Sequence, residues 1–139
     1  MRDYKTIFSR LLLSCLVFAF STTIQAQNAS EKHSLFGAVK CDEEMAILDS
    51  IENKLKSYPF TTAYFCAYGG RRDTKRNEVR IRSARMKRYL TETCGIESNR
   101  VETVSAGFRE KFTVEVWLIS VGETPPKPTP TVSRKKVRF

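Results

Sequence analysis

One segment restricts the possible folds of this chain more than any other: the apolar run of residues 61–68 and the helical pattern that follows it. The run is aromatic and β-branched with almost no polar alternation, which is typical of a strand covered on both faces, as in a central parallel position. Gly69 and Gly70 predict a turn. Residues 75–94 predict a helix, because small and apolar side chains recur on one face at steps of three and four. That face consists of Val79, Ser83, Met86, Leu90 and Cys94.

A second amphipathic helix is predicted over residues 42–58, and Pro59 ends it. Its apolar stripe consists of Met45, Leu48, Ile51 or Ile47, and Leu55. Short strands are predicted over residues 34–39, 101–106 and 112–119. In the last of these, Val114 and Val116 share one face with Phe112 and Leu118, and Glu115 and Trp117 share the other with Thr113.

The order of these elements is β-α-β-α-β-β. Two right-handed crossovers followed by a hairpin predict an α+β fold, a two-layer sandwich with two helices on one face of a mixed four-stranded sheet. Residues 34–120 form this predicted domain. Residues 121–139 are a proline-rich basic tail, which is predicted to be an extended linker. The tail could add a strand, contact lipid, or do neither.

The first 26 residues have the layout of a cleaved secretory signal: a basic start, an apolar run over residues 11–20, and a close at Ala26. The apolar run is about half of what a membrane span requires, so no transmembrane span is expected in the mature chain, although an uncleaved N-terminal anchor is the alternative. Cys15 does not fit a lipoprotein signal, because the apolar core continues after it. Residues 27–33 are predicted to be a disordered lead-in. The protein is therefore expected to be exported to the periplasm or cell envelope.

The chain carries a net charge of +9. Most of the excess lies in residues 71–88 and 134–138. In an exported protein such segments indicate contact with anionic lipid or glycan, or serve solubility alone. Nucleic acid is not an expected partner, because of export and because no aromatic residues are interleaved to stack on bases.

Three cysteines follow the predicted signal: Cys41, Cys66 and Cys94. Oxidising conditions outside the cytoplasm make a disulfide plausible. Cys41 and Cys66 are the predicted pair, since both are placed near the same edge of the sheet, and Cys94 is left free. Cys66 as a nucleophile would need a base, and the single histidine, His33, lies outside the predicted core, so no enzyme is expected. No CxxC spacing occurs, and neither a metal nor a cofactor is expected.

These elements resemble the OmpA-like C-terminal domain, which binds peptidoglycan in bacterial envelopes. The likeness covers about residues 35–119. It rests on the glycine turn, Arg88-Tyr89-Leu90, Gly95-Ile96, Asn99-Arg100-Val101, Val104-Ser105-Ala106-Gly107 and Thr113-Val114-Glu115-Val116. The chain is also similar to a group of short exported bacterial proteins that carry a Tyr-Gly-Gly-Arg-Arg turn. The resemblance implies a peptidoglycan-binding type of fold with a ligand site after the second strand.

Three places depart from the OmpA-like pattern, one of them the start of the second helix, where the family's Asn/Leu/Ser pattern is replaced by Asn77-Glu78-Val79. The family places a Thr-Asp pair after its second strand to hold diaminopimelate, where this chain has Tyr68 and Gly69, with Asp73 a few residues later. The family also places an arginine just before the last strand to grip a carboxylate. Here that stretch begins with Lys111, which together with Arg109 offers positive charge.

The loop after the second strand is the predicted ligand site. Its glycines would let a ligand approach the backbone, and its arginines could grip a carboxylate or phosphate in a bidentate manner. The alternative is a solvated turn. The candidate residues are Gly69, Gly70, Arg71, Arg72, Asp73 and Arg109. The expected function is that of a non-catalytic envelope-binding module contacting peptidoglycan or another anionic component. The alternatives are a structural or protein-partner domain that has lost this site and, less favoured, an enzyme using Cys66.

Overall fold

β2 is the longest strand of the sheet and lies inside it, as its apolar sequence predicts. The computed structural model describes residues 30–72, 75 and 77–137. The elements are β1 (Glu31–Phe36), α1 (Cys41–Ser57), β2 (Thr61–Gly70), α2 (Glu78–Arg88), β3 (Val101–Arg109) and β4 (Thr113–Ser120). A π-helical turn, Tyr89–Thr93, continues α2, and 3-10 turns lie at Ser98–Arg100 and Arg134–Lys136. The predicted signal and most of the predicted lead-in fall outside the described residues.

The sheet confirms the predicted α+β class, with strand order β1-β4-β2-β3. β2 pairs in parallel with β3 and antiparallel with β4. The predicted hairpin between the last two strands is wrong: β4 lies between β1 and β2, so the connection from β3 crosses the end of β2. The placement has a physical reason. Val114 and Val116 on β4 are fully buried, whereas β3 exposes Glu102 and Ser105 and takes an edge.

β1 lies three residues earlier than predicted and begins inside the segment expected to be disordered. Its position is set by its pairing with β4, which aligns Glu31 with Leu118 and Phe36 with Val114. Lys32 in β1 also forms an ion pair with Glu115 in β4, Nζ to Oε1 2.7 Å. Sequence periodicity does not report such partners from distant parts of the chain.

Both helices pack on one face of the sheet and form the main core. α1 contributes Leu48, Ile51 and Leu55, and α2 with its π-helical turn contributes Met86 and Leu90. The sheet contributes Phe36, Ala63, Phe65, Ala67, Val101, Val114 and Val116. The predicted stripes of both helices are thus confirmed, with one exception at the start of α1.

That exception is Met45, which is exposed, while its neighbour Glu44 is buried. The Glu44 carboxylate accepts two hydrogen bonds from Nη2 of Arg85 in α2, at 2.7 and 2.9 Å. A carboxylate in the first turn also complements the helix dipole. The first turn of α1 therefore binds α2 through an ion pair rather than through an apolar contact.

The end of the sheet at which β2 begins is closed by Arg100. Its guanidinium donates hydrogen bonds to the carbonyl oxygens of Leu55, Tyr58 and Thr61. These carbonyls belong to the end of α1 and the start of β2, and Arg100 immediately precedes β3. Gly95 follows the π-helical turn with a φ of 72°, the left-handed conformation in which many helices end.

The described residues contain no helix long and apolar enough to cross a membrane.

Candidate functional site

Positive charge gathers at the end of the sheet where β2 and β3 finish and α2 begins. We call this end the basic edge and define it by Arg71, Arg72, Lys75, Arg82 and Lys111. Ligands of sheets with parallel strands usually bind beyond the carboxyl ends of those strands. The sequence prediction placed the ligand site at this edge.

The two glycines do not form the predicted ligand-binding turn. β2 continues through Gly69 and Gly70, which are buried and pair with Phe108 and Arg109 of β3. A Cβ atom built on Gly69 would lie 2.8 Å from the Phe108 ring. Gly69 thus makes room for an aromatic ring of the same domain, so no ligand can use that space.

The arginines that follow the glycines turn outward. Arg72 is exposed, and Arg71 is half-buried beside Glu110. The Arg71 backbone N–H donates to the Glu110 carbonyl at 3.3 Å, and its Nη1 lies 3.5 Å from the Glu110 carboxylate. Ion pairs this exposed contribute little to stability. Both guanidinium groups therefore remain accessible to an anion. Asp73, the remaining loop residue of the prediction, lies outside the described residues.

Arg82 is a candidate that the sequence analysis did not single out. Its Nε lies 3.1 Å from Glu78 Oε1, one helical turn earlier. Its guanidinium stacks over the Phe112 ring, 4.5 Å from the centroid. Among the described residues, no group hydrogen-bonds its buried Nη1 atom. One sequence signal could have identified Arg82: it directly precedes Ser83, which belongs to the buried stripe of α2. Arg82 therefore lies toward the sheet, while its basic neighbours face solvent.

Arg109, also a predicted ligand residue, is engaged elsewhere. It lies on the second face of the sheet, opposite the helices, where it stacks 3.7 Å from the centroid of the Tyr68 ring. It also hydrogen-bonds Glu115 at 3.2 Å and donates to Oγ1 of Thr129 at 2.8 Å. Arg109 belongs to an internal cluster and cannot at the same time hold an external carboxylate.

Glu115 is the centre of that cluster and is nearly inaccessible to solvent. Lys32, Tyr68 and Arg109 all donate to its carboxylate. Burial alone would raise the pKa of Glu115, but the hydrogen bonds from Lys32 and Tyr68 and the charges of Arg109 and Lys32 together lower it. The carboxylate therefore stays ionised at neutral pH.

The Cys41–Cys66 disulfide expected from the sequence is not formed: Cys41, Cys66 and Cys94 are all unpaired. The physical reason is the alternation of β2. Cys66 points to the second face with Tyr64 and Tyr68, whereas Cys41 begins α1 on the other face. Because side chains alternate along a strand, the residues directly before and after Cys66 point toward the helices, and Cys66 itself does not.

Cys66 also lacks the surroundings of a nucleophile. It is almost fully buried, and burial, aided by the charge of Glu115, raises the pKa of its thiol. His33 lies 3.5 Å from Ser50 of α1, on the helix side of the sheet. A reactive cysteine requires the opposite environment, one that favours the thiolate.

Asp49, Glu52 and Cys94 bring three potential metal-binding atoms within 4.8 Å of one another. Lys56 already pairs with Glu52, and Tyr89 donates to Asp49 at 2.7 Å. Burial and the hydrogen bond with Glu52 raise the pKa of Cys94 to about 11. A thiol that resists ionisation, beside carboxylates that already have hydrogen-bonding partners, is a poor metal site.

Comparison with protein-family models, with curated proteins and with solved structures finds no match for this chain.

Proposed function

We propose that this protein is a non-catalytic, exported binding module that contacts peptidoglycan, or another anionic component of the cell envelope, through the basic edge. It would be a divergent relative of the OmpA-like domains. The observation that carries the proposal is the grouping of the accessible Arg71 and Arg72 guanidinium groups with Arg82, whose buried Nη1 atom no described residue hydrogen-bonds. Guanidinium groups grip carboxylates and phosphates through paired N–H donors.

The contacts at the edge favour an anionic ligand. Arg82 is held in place by Glu78 and by the Phe112 ring, so its direction is fixed before a ligand arrives. Arg71 and Arg72 lie in the neighbouring loop, where Arg72 is exposed and Arg71 makes only an exposed ion pair with Glu110. Lys75 adds a fourth positive charge just before α2, where its backbone N–H already donates to the Glu78 carboxylate at 2.9 Å.

The proposal is tested by sedimentation of the protein with purified peptidoglycan sacculi. The variant R71A/R72A should lose at least about tenfold in affinity, because two charge-assisted contacts to an anion are removed. Arg82→Gln should lose a similar factor while removing only one charge. Binding should also weaken as salt rises, because these contacts are partly screened.

A matched control removes two positive charges at the opposite end of the sheet: K54A/K56A, in the last turn of α1. This variant should bind sacculi like the wild type. Equal losses in both double variants would mean that only net charge matters, and unchanged binding in R71A/R72A would refute the proposal. A parallel titration with phosphatidylglycerol vesicles separates a wall ligand from a lipid surface.

A second candidate is a structural or protein-partner domain that has lost the ligand site. The placement of Arg109 in the Glu115 cluster and the filling of the Gly69 space by Phe108 favour it. Absence of wild-type binding to both sacculi and anionic vesicles would select this candidate.

A further inference from the structure

The proline-rich tail runs back across the second face of the sheet instead of leaving the domain. It starts after Ser120, where Glu123 and Pro125 lie beside Tyr64 and Ile119. It reaches the other end of the sheet where Val132 pairs with Phe108 of β3. The tail therefore crosses over β2, from the end of β4 to the outer edge of β3.

The tail contacts the domain along its length, and four of the contact positions are three residues apart. Glu123 accepts a hydrogen bond from the Ser120 N–H at 3.0 Å, and Pro126 is half-buried. The Thr129 N–H donates to the Tyr68 hydroxyl at 3.1 Å, and Val132 is buried. Thr129 itself and the residues between these four are exposed. Proline-rich chains prefer the polyproline-II helix, which has three residues per turn.

The surface beneath the tail has the chemistry that receives such helices. Tyr64 and Tyr68 contribute aromatic rings to it, and aromatic grooves are the usual receptors of proline-rich segments. Arg109 adds a fixed donor for a hydroxyl at the position of Thr129, because Glu115 and the Tyr68 ring hold its guanidinium.

Shape complementarity extends to the edge of β3. A Cβ atom on Gly107 would lie 2.9 Å from Pro130, so only glycine allows the proline ring to sit there. The Phe108 carbonyl accepts hydrogen bonds from the N–H groups of Thr131 and Val132, both at 3.0 Å. The groove thus ends in a short backbone pairing, as when a peptide is added to a sheet edge.

We propose that this second face is a binding groove for an extended proline-rich segment, which the tail occupies within the same chain and from which a partner protein's segment displaces it. The segment it fits has the pattern of residues 126–132: proline, a threonine three residues later, and a branched aliphatic residue three residues after that. Exposed Gly122, with a φ of 91°, is the pivot about which the tail can leave.

The test uses the full chain and a fluorescein-labelled synthetic peptide of residues 123–137, with binding followed by anisotropy. The variant T129P/V132D opens the groove, because it removes the N–H and hydroxyl contacts and places a charge at the buried position. The tail competes at an effective concentration on the order of millimolar. T129P/V132D should therefore bind the peptide at least about tenfold more tightly than the wild type does.

The matched control is T124P/S133D, which makes the same two kinds of substitution at exposed tail positions outside these contacts. It should bind the peptide as weakly as the wild type. A peptide carrying T129P/V132D should not bind the opened protein, and adding Tyr68→Phe to that protein should weaken its binding several-fold. Equal peptide binding by all proteins, or by none, would overturn the proposal.

Two further measurements complete the test. If circular dichroism shows that T129P/V132D does not fold, hydrogen exchange on the wild type replaces it: excess unlabelled peptide should speed exchange of the Thr129 and Val132 amides, and unchanged exchange would refute displacement. Light scattering tests whether the tail of a second copy of this chain occupies the groove instead. A dimer that forms with rising concentration through these contacts would assign the groove to the tail of a second copy and overturn the proposed partner.

Discussion

Glu115 is a carboxylate whose contacts join all four strands of the sheet. It lies on β4 and accepts hydrogen bonds from Lys32 of β1 and Tyr68 of β2, while Arg109 of β3 reaches it from beyond β2. Glu115→Gln keeps the shape but leaves two cations beside a neutral group. Since removing one partner of a buried ion pair is costly, we expect the free energy of unfolding to fall by roughly 2–4 kcal/mol, measured by urea denaturation.

Glu52→Gln is the matched control, because Glu52 also pairs with a lysine but at the surface of α1. Its loss should stay within about 1 kcal/mol. Equal losses in the two variants would mean that Glu115 contributes no more than a surface ion pair.

The same residue should impose a pH dependence on stability. The folded pKa of Glu115 lies below its ordinary value of 4.5. A lowered folded pKa means that the unfolded chain takes up the proton first. The contribution of Glu115 is therefore fully present above the ordinary value and is lost as the pH falls through the folded pKa. The stability difference between wild type and Glu115→Gln should stay constant at higher pH and shrink in acid. A difference that grows in acid would contradict the lowered pKa.

The three described cysteines should differ in reactivity. Cys41 is exposed, Cys66 is buried with a raised pKa, and the pKa of Cys94 is raised to about 11. Because the thiolate is the reactive form, iodoacetamide at mildly alkaline pH should modify Cys41 at least about tenfold faster than the other two. Peptide mass spectrometry assigns each site. Rapid modification of Cys66, or recovery of a Cys41–Cys66 disulfide, would contradict this order.

At the scale of elements, the parallel pair β2 and β3 depends on a glycine. Gly69→Ala would place a methyl group 2.8 Å from the Phe108 ring. Since overpacking forces side chains out of their rotamers, we expect a loss of roughly 1–3 kcal/mol in the free energy of unfolding. Phe108→Leu in the same chain should recover part of it. A double-mutant cycle measures the recovery, and strict additivity would show that the two residues do not meet.

The helices and the existence of all four strands could be predicted from the sequence, because both depend on local periodicity. The strand order could not, because pairing joins residues far apart: β1 takes its register from Glu115 and its neighbours on β4. Gly69 and Gly70 were also misread. Two glycines after an apolar run favour a turn, and only the Phe108 ring on another strand explains why they continue β2.

The position of the candidate site could be predicted from the sequence, but only some of its residues could. Arg71 and Arg72 follow β2, so their position at the end of a parallel strand could be foreseen. Arg109 could not be assigned correctly, because its partner Glu115 and the tail reach it from elsewhere in the chain. Arg82 was one basic residue among many, and its orientation depends on Phe112.

At the scale of the whole molecule, the two faces of the sheet are covered in different ways. One face packs against both helices and holds most of the apolar core. The other carries a smaller apolar cluster, the Glu115 ion pairs and a tail that is mostly exposed. Since stability comes mainly from buried apolar surface, the helix-covered face should determine whether the domain folds. The tail should control which ligands can bind to the second face of the sheet.

Ending the chain after Gly122 tests this division. The truncation removes the burial of Val132 and a few hydrogen bonds, each with a modest net contribution, and it also removes the entropy cost of ordering the tail. We expect a loss of only about 1–2 kcal/mol in the free energy of unfolding, with a native-like far-ultraviolet spectrum. Ending the chain after Ser133 is the control. It keeps the tail contacts from Glu123 to Val132, so its stability should match the wild type within about 0.5 kcal/mol. An unfolded product after Gly122 would instead make the tail an essential part of the domain.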